Sequence, residues 1–336
     1  MMQQSKKNYV PRPFEFLSNW RSLPPYEMIS YILMYASVPM LAFGMKSYDM
    51  GILKIIIFTV ITLYSGFFAA LIWNDITDSD IDSIAHPDRP IPSGRISKKK
   101  FFGIALIFSA LTFIFSILVS IWCFLLVGFT ALFTAFHNKY LKDRVKIPAY
   151  SEIFTPIQWV TVAIFGYLAI WTMCPSFDTF LSNPFFIDHI IFNVIDLQNM
   201  IILVLFTYFA VNAHDLPEGI HDYEGDKKKG VRTYATSFGM HNAARISFCM
   251  FFISGILGMI LFYRTILSPL FLILFLIIWI YVLYHSFKLL KSETDDRKQL
   301  AEIAGRKGFD YFLIAFNLIF IDIFIQIILR YFSISF

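Results

Sequence analysis

Two stretches of the sequence concentrate carboxylate side chains directly after long apolar segments. The first is NDITDSDIDSIAHPDRPIPSG, residues 74–94, which follows the apolar run 51–73. The second is HDLPEGIHDYEGDKKKG, residues 214–230, which follows the apolar run 200–213. Carboxylate and amide oxygens are the ligands that Mg²⁺ prefers, and Lys or Arg binds anionic oxygens. Because basic residues follow both acidic stretches, the pattern indicates a site for a metal ion and a phosphate group.

In the first stretch, four oxygen-bearing side chains share one face if the helix continues to residue 82. At about 100° per residue they fall within an arc of about 100°, with Asp80 on the opposite side. These four side chains are Asn74, Asp75, Asp78 and Asp82. Carboxylates gathered next to hydrocarbon repel one another strongly, so the arrangement predicts a bound hard cation. Ser97 is expected to cap the following helix.

In the second stretch, Asp222 and Asp226 are spaced i, i+4 and are predicted to share a helical face. Asp215 and Glu218 join that face only if the helix continues through the proline and the glycine of this stretch. The second and sixth apolar segments thus both end in carboxylates. This is a weak internal repeat, of the kind that places one site between two halves of a membrane protein.

The composition is that of an integral membrane protein. Of the 336 residues, 57% are hydrophobic and only 15% are charged, which is too little polar surface for a soluble domain of this size. The three cysteines are far apart and predict neither a disulfide framework nor a zinc site. A membrane-spanning helix needs about 20 mainly apolar residues. The nine candidates are Met28–Met45, Gly51–Trp73, Phe101–Val119, Ser120–Phe136, Ile153–Met173, Met200–Ala213, Ala243–Tyr263, Ile266–Phe287 and Phe309–Arg330.

The distribution of Lys and Arg predicts the orientation of these segments. Most of the 28 basic residues lie before the first segment and in the loops after the even-numbered segments, whereas the 174–198 loop has none. The positive-inside rule therefore places the N-terminus and both Asp-rich loops in the cytoplasm. We expect a cytoplasmic arm over residues 1–27, without the apolar region of a signal peptide, and a single membrane domain over residues 28–336.

The spacing N-D-x-x-D-x-x-x-D in NDITDSDID, followed by RPIPSG and then by HDYEGDKKKG, resembles the motifs of the UbiA superfamily of intramembrane prenyltransferases. HNKYLKD resembles that family's Tyr-x-x-x-Leu-Lys segment, with His137 where Tyr is usual. The resemblance implies an all-α bundle of nine transmembrane helices with a central cavity. It also implies two Mg²⁺ ions between the Asp-rich loops. The form of HPDRPIPSGRIS favours the branch that transfers geranylgeranyl or phytyl groups.

The family's site residues carry over onto this sequence by motif. The implied metal ligands are Asn74, Asp75, Asp78, Asp82, Asp222 and Asp226. The implied diphosphate-binding residues are Arg89, Lys142, Arg144, Lys228 and Arg21. The residues expected to be catalytic are Asp78, Asp82, Asp222, Asp226 and Lys142. Gly219 stands where many members have an additional Asp, so the second metal site has fewer ligands or recruits Glu218.

The resemblance implies transfer of an isoprenyl group, with geranylgeranyl diphosphate as the expected donor, to a hydrophobic or lipid acceptor that the sequence does not identify. Metal ions and basic residues would stabilise the diphosphate leaving group. Apolar and aromatic side chains would keep the allylic carbocation away from water. The expected partners are therefore the donor, the acceptor and the bilayer. No nucleic-acid partner is expected, because the net charge is only +4.

Three other functions would also use acidic residues or an apolar bundle of this kind. A terpene cyclase on the same scaffold would quench the cation internally, and the sequence leaves this alternative open. A cation transporter would place charged residues near mid-membrane, whereas these acidic groups lie at segment ends. A CDP-alcohol phosphotransferase would need a D-x-x-D-G-x-x-A-R signature, which the first stretch lacks. Asp322 lies inside the last apolar segment, and an intramembrane Asp is a candidate functional residue.

Overall fold

The computed structural model describes residues 25–80, 83, 87, 89–141, 144–174, 176–293 and 296–332. All regular structure in these residues is helical. The α-helices with described bounds are α1 (Pro25–Phe43), α2 (Met50–Thr77), α3 (Lys98–Val119), α4 (Ile121–Phe136), α5 (Tyr150–Phe154), α6 (Ile157–Trp171), α7 (Phe177–Ser182), α8 (Val194–His221), α9 (Tyr223–Lys229), α10 (Tyr234–Phe238), α11 (Met240–Arg264), α12 (Pro269–Leu290) and α13 (Arg297–Tyr331). A π-helical turn, His137–Leu141, follows α4.

The described residues contain nine helical segments that are long and apolar enough to cross a membrane, with α5 and α6 counted together. This confirms the predicted all-α membrane bundle. Two predicted segments were more than ten residues shorter than the helices that contain them. The sixth runs over Val194–His221 instead of Met200–Ala213, and the last begins at Arg297, so the second half of the predicted 288–308 loop is helical.

The long apolar run 101–136 divides at Ser120, as its length required. The extended backbone of Ser120 ends α3, and its hydroxyl caps α4 by accepting a hydrogen bond from the Cys123 N–H at 3.1 Å. The Thr172 hydroxyl donates to the same Ser120 oxygen at 2.7 Å. Ser120 therefore ends one membrane helix and caps the next, and the hydrogen bond from Thr172 at the end of α6 fixes its side chain.

Helix α2 ends earlier than the pattern of carboxylates predicted. The helix stops at Thr77, and Asp78 is its C-cap residue with φ −93° and ψ 5°. The Thr77 hydroxyl donates a hydrogen bond to the Asn74 carbonyl at 3.0 Å, and the Asp78 N–H donates to the same carbonyl at 2.9 Å. The predicted single helix is therefore interrupted at Asp78, and Asp82, to which it was expected to continue, lies outside the described residues.

Helix α8, in contrast, continues through Pro217. Proline has no N–H, so it leaves the carbonyl four residues earlier, at Ala213, without its helical partner. The Ser247 hydroxyl on α11 donates to that carbonyl at 2.7 Å. A neighbouring helix thus replaces the lost hydrogen bond, as membrane helices with internal prolines require. Because of this replacement, Asp215 and Glu218 stay on the helix that leads to Asp222.

Close helix contacts in the bundle depend on small residues. The indole of Trp279 on α12 lies where a Cβ at Gly255 on α11 would be, and its Nε1 donates to the Phe251 carbonyl at 2.9 Å. One turn further along α11, the ring of Phe275 occupies the corresponding space over Gly258. Small residues let membrane helices approach and gain van der Waals contact. α11 and α12 pack together in this way.

Asp322, the intramembrane carboxylate in α13, forms part of a hydrogen-bond network at the start of α12. It accepts hydrogen bonds from the Ser268 N–H at 2.9 Å, from the Ser268 hydroxyl and from Gln326 Nε2 at 2.8 Å. The residue is 3% exposed. These partners give Asp322 a structural role, because it binds the first residues of one helix to the middle of another.

Candidate active site

The C-terminal end of α2 carries the first acidic cluster, which we define as Asn74, Asp75 and Asp78. Asp75 is buried, whereas Asn74 and Asp78 are half-buried. Nη1 of Arg89 lies 3.9 Å from Oδ1 of Asp75, and the Asp75 side chain is 1% exposed. The structure therefore pairs Asp75, which is predicted to bind a metal ion, with Arg89, which is predicted to bind the diphosphate. Asp82 lies outside the described residues.

Side chains from α3 fix the end of α2. Lys98 Nζ donates to the Ser79 hydroxyl at 2.9 Å, and Trp73 Nε1 donates to the Ser109 hydroxyl at 3.0 Å. Ser97 caps α3 as predicted, because its hydroxyl accepts a hydrogen bond from the Lys100 N–H at 3.4 Å. The Lys98 ammonium thus lies beside the first acidic cluster and adds positive charge there.

The second acidic cluster, Asp222 and Asp226, lies where α8 meets α9. The Asp226 N–H donates to the Asp222 carbonyl at 3.0 Å, so the two residues are one helical turn apart, as predicted. The Asp222 side chain is 65% exposed, with Oδ1 2.7 Å from Nδ1 of His221. Gly230, at φ 74°, ends α9 in the left-handed conformation that glycine adopts readily.

One more carboxylate reaches the second acidic cluster, from Glu152 on α5. Glu152 is 6% exposed, and its Oε2 accepts a hydrogen bond from the Tyr234 N–H at the start of α10. Its Oε1 lies where a Cβ at Gly219 would be and has no hydrogen-bond partner among the described residues. The negative charges of Glu218 and Asp226 act on Glu152.

Glu152 was not among the predicted site residues, because it lies directly before the fifth apolar segment and outside any motif. The only available signal was a carboxylate on the same side of the bundle as both Asp-rich stretches. Asp215 and Glu218 were conditional members of the predicted second cluster. The structure places both within electrostatic range of Glu152.

Both acidic clusters lie at the same end of the bundle. Met28 at the start of α1 belongs to the same apolar cluster as Ile76 at the end of α2. One turn later, the Tyr31 ring contacts Phe309, with centroids 6.5 Å apart. Phe309 also contacts His214 near the end of α8, at 5.1 Å. The start of α1 and Phe309 of α13 therefore link α2 to the end of α8.

An aromatic cluster connects the two helices that carry the acidic ends, α2 and α8. We define it as Tyr31, Phe67, Trp159 and Phe309, from α1, α2, α6 and α13. The ring centroids of Tyr31 and Phe67 are 4.5 Å apart, and those of Trp159 and Phe309 are 6.0 Å apart. Aromatic faces attract cations, so this lining suits a positively charged intermediate in an apolar interior.

Two of the other predicted basic residues, Arg144 and Lys228, lie at the surface. Arg144 is exposed, with its guanidinium 5.9 Å from the centre of the Tyr140 ring, and Lys228 is exposed on α9. Within the described part of the chain, the one predicted basic residue that forms an ion pair with an acidic cluster is Arg89. Lys142 and Arg21 lie outside the described residues.

The donor atoms at this end of the bundle suit a hard divalent cation. They are carboxylate and amide oxygens, and the buried Oε1 of Glu152 and Oδ2 of Asp215 have no hydrogen-bond partner in the described part of the chain. Such unpaired buried oxygens are costly unless a ligand neutralises them. Among the same residues, no three His, Cys, Asp or Glu side chains are grouped closely enough to hold a metal ion.

A small cavity of about 160 Å³ lies beside the π-helical turn. His137 is 7% exposed in its wall, and its Nε2 has no hydrogen-bond partner among the described residues. The lining residues are Phe133, Thr134, His137, Asn138, Ser151, Phe154, Thr155 and Gln158. The His137 side chain thus lies inside the bundle, against a mainly polar space.

Solved structures support the same fold. A UbiA homolog from Aeropyrum pernix K1 in its apo state aligns with a TM-score of 0.65 at 16% identity, over 90% of this chain and 99% of that chain. A UbiA homolog from Archaeoglobus fulgidus bound to GPP and Mg²⁺ aligns with a TM-score of 0.53 at 15% identity, over 88% and 98% of the two chains. At these identities the alignments establish the helical architecture alone.

Sequence comparisons identify the family. The digeranylgeranylglyceryl phosphate synthase of Saccharolobus solfataricus is 29% identical over 52% of this chain, a match that spans only 53% of that relative's length. The synthase of the same name from Methanococcoides burtonii is 26% identical over 80% of this chain and 84% of its own length. The profile of the UbiA prenyltransferase family matches residues 34–309. This chain belongs to the UbiA prenyltransferase family.

Proposed function

We propose that this protein transfers a geranylgeranyl group from geranylgeranyl diphosphate to the free hydroxyl of a glycerol-phosphate lipid, with Mg²⁺ as cofactor. The observation that carries the proposal is the position of two acidic clusters at one end of a UbiA-family bundle, with Arg89 paired to Asp75. The named synthases among its relatives support this choice of donor and acceptor.

In this proposal the carboxylates and the Asn74 amide hold the metal ions. The proposed ligands are Asn74, Asp75, Asp78, Asp82, Asp222 and Asp226. Bound Mg²⁺ supplies positive charge to the diphosphate oxygens and so stabilises the leaving group. The Mg²⁺ and GPP bound to the Archaeoglobus fulgidus homolog support the pairing of metal and isoprenyl diphosphate.

The proposed basic residues position the diphosphate. They are Arg89, Lys142, Arg144, Lys228 and Arg21. Arg89 is the best supported, because its guanidinium already lies at the first acidic cluster. A guanidinium can bind two phosphate oxygens at once, which fixes the orientation of the group as well as its charge. Arg144 and Lys228 are exposed, so their side chains can turn towards an arriving anion at little cost.

The reaction breaks the bond between the allylic carbon and the diphosphate oxygen, and the electron pair leaves with diphosphate. The aromatic cluster stabilises the resulting allylic cation and excludes water from it. The acceptor hydroxyl oxygen then donates an electron pair to form the new ether bond. Its proton leaves to the departing diphosphate. No described side chain is assigned as a base.

The proposal includes an orientation in the membrane. The acidic end of the bundle faces the cytoplasm, together with the arm over residues 1–27. The excess of Lys and Arg in the loops at this end supports that orientation. A water-soluble diphosphate head would then reach the site from the cytoplasm, while the prenyl chain lies among apolar side chains of the membrane domain 28–336.

The acceptor is tested with purified protein, Mg²⁺ and geranylgeranyl diphosphate, with and without geranylgeranylglyceryl phosphate. Mass spectrometry should detect an ether product that carries a second geranylgeranyl group only when this acceptor is present. Prenylation of a different acceptor from a membrane extract, with none of this one, would refute the acceptor class. A cyclised hydrocarbon formed without any acceptor would instead identify a terpene cyclase.

A further inference from the structure

We propose that Glu152 is an additional cation-binding residue, whose carboxylate replaces the side chain that Gly219 lacks in the second acidic cluster. The proposal rests on the proposed function in one respect, namely that a divalent cation binds at this cluster. It adds a residue from a different helix, which neither the acidic motif nor the family resemblance identifies.

The second acidic cluster lies on a helical face that also includes position 219. Positions 219, 222 and 226 are separated by three and four residues, so their side chains point to the same side. Asp222 and Asp226 supply carboxylates to this face, and the Asp226 N–H still donates to the Asp222 carbonyl across the junction of α8 and α9. Gly219, one turn earlier, contributes no side chain.

Glu152 fills the space left by the missing side chain at position 219. A Cβ added to Gly219 would overlap Oε1 of Glu152, so the carboxylate lies where the side chain of residue 219 would begin. The charges of Asp226 and Glu218 act on it there. Tertiary structure therefore places a carboxylate from α5 against Gly219, on the helical face that carries the second acidic cluster.

Hydrogen bonds between neighbouring segments hold Glu152 in this position. The Ser151 N–H donates to the Arg232 carbonyl at 3.2 Å, and the Ala149 N–H donates to the Ser237 hydroxyl at 2.9 Å. Together with the bond from the Tyr234 N–H to Oε2, these contacts hold the start of α5 against α10. The carboxylate is thus held at the face of Gly219 by bonds on both sides.

These contacts involve only one of the two carboxylate oxygens of Glu152. Oε1 of Glu152 has no hydrogen-bond partner in the described part of the chain, although the residue is only 6% exposed. A buried carboxylate oxygen without a partner is unfavourable, and nearby carboxylates make it more so. A bound cation would satisfy this oxygen and offset the repulsion. Because the Asp222 side chain is 65% exposed, its rotamer can change to join such a site.

A purely structural role for Glu152 would need only Oε2, which accepts the Tyr234 N–H. Glu152→Gln separates the two roles, because the amide oxygen can still accept that hydrogen bond while the charge is lost. Glu224→Gln is the matched control, because Glu224 is an exposed acid on α9 and loses the same charge near the same cluster.

The experiment titrates Mn²⁺, as an EPR-visible substitute for Mg²⁺, into the purified full-length protein in detergent. Glu152→Gln should weaken Mn²⁺ binding by at least about tenfold, whereas Glu224→Gln should change it by less than about twofold. The thermal unfolding curve of Glu152→Gln should remain close to that of the wild type. Mn²⁺ binding by Glu152→Gln equal to that of the wild type would overturn the proposal.

An exchange variant keeps the test decisive if Glu152→Gln unfolds. Glu152→Ala with Gly219→Asp removes the carboxylate from α5 and supplies one from α8 in the vacated space. Mn²⁺ binding should recover to within about threefold of the wild type, and absence of recovery in a folded protein would refute the proposal. Failure of the wild type itself to bind Mn²⁺ would instead contradict the proposed function.

Discussion

Nη1 of Arg89 and Oδ1 of Asp75 lie 3.9 Å apart at the end of α2. The Asp75 side chain is 1% exposed, whereas 24% of the Arg89 side chain is exposed. The carboxylate is therefore shielded from water while the guanidinium remains accessible to a ligand. This pair connects the acidic and the basic residues that the sequence predicted separately.

Replacing Arg89 by Ala should affect both stability and donor binding. The change leaves the buried Asp75 carboxylate without this ion-pair partner, which should lower the free energy of unfolding by about 1–3 kcal/mol. The KM for geranylgeranyl diphosphate should rise at least about tenfold, because a charge-assisted contact to the diphosphate is lost. Arg89→Lys should give intermediate values. Wild-type unfolding and KM in Arg89→Ala would refute this account of the pair.

Asp78→Asn and Asp222→Asn should each lower turnover by at least about 100-fold, because each removes a carboxylate from an acidic cluster. Asp78 is half-buried and Asp222 is exposed, so the fold should survive both changes. Turnover is followed as diphosphate release at saturating Mg²⁺. Asp80→Asn serves as the control, because Asp80 is an exposed acid close to Asp78. Wild-type turnover in either cluster variant would remove the assigned role of that residue.

Pro217 and Ser247 should be energetically coupled. Ser247→Ala removes the hydroxyl that donates to the Ala213 carbonyl, at a cost of about 1–2 kcal/mol in the free energy of unfolding. In a Pro217→Ala background, the new N–H at position 217 can donate to the same carbonyl, so the cost should become smaller. Unfolding in detergent measures both values.

The control for this coupling is Ser254→Ala on the same helix. The Ser254 hydroxyl donates to the Phe251 carbonyl of its own helix at 2.9 Å, so its removal should cost the same with either residue at position 217. If Ser247→Ala also lowers the free energy of unfolding by the same amount with Pro or Ala at position 217, the hydrogen bond from Ser247 to the Ala213 carbonyl plays no part in keeping α8 helical.

Asp322→Asn should destabilise the protein without changing the chemistry. The Asn amide cannot accept all three hydrogen bonds from Ser268 and Gln326, so the free energy of unfolding should fall by about 2–3 kcal/mol. Asp322 lies about 20 Å along α13 from Phe309 and the acidic end. Turnover per folded molecule should therefore match the wild type. Lost turnover with unchanged unfolding would make Asp322 a functional residue.

The membrane-spanning segments could be predicted because hydropathy and length depend on local sequence. The apolar run 101–136 was too long for one crossing, and Ser120 is where its helices separate. The end of α8 was harder to predict, because the helix passes Pro217 with the help of a hydroxyl on another helix. The early end of α2 at Thr77 was also harder to predict, because the spacing of the carboxylates continues beyond it.

The acidic motifs could be predicted for the same reason, because their spacing is a property of the local sequence. Asp222 and Asp226 lie one turn apart, as an i, i+4 spacing predicts. The contact of Glu152 with Gly219 joins residues far apart in sequence, so no local pattern could reveal it. The pairing of Arg89 with Asp75 likewise joins a loop residue to α2, a contact that no helical spacing encodes.

The most direct test of the central claim is diphosphate release from geranylgeranyl diphosphate by the purified protein in detergent, with Mg²⁺ or EDTA and with or without membrane lipid extract. The account predicts release that requires both Mg²⁺ and the extract, together with a prenylated lipid in the mass spectrum. Release that is unaffected by EDTA would contradict the metal requirement. No release from geranylgeranyl diphosphate, or from donors of any other prenyl length, would contradict the proposed prenyl transfer.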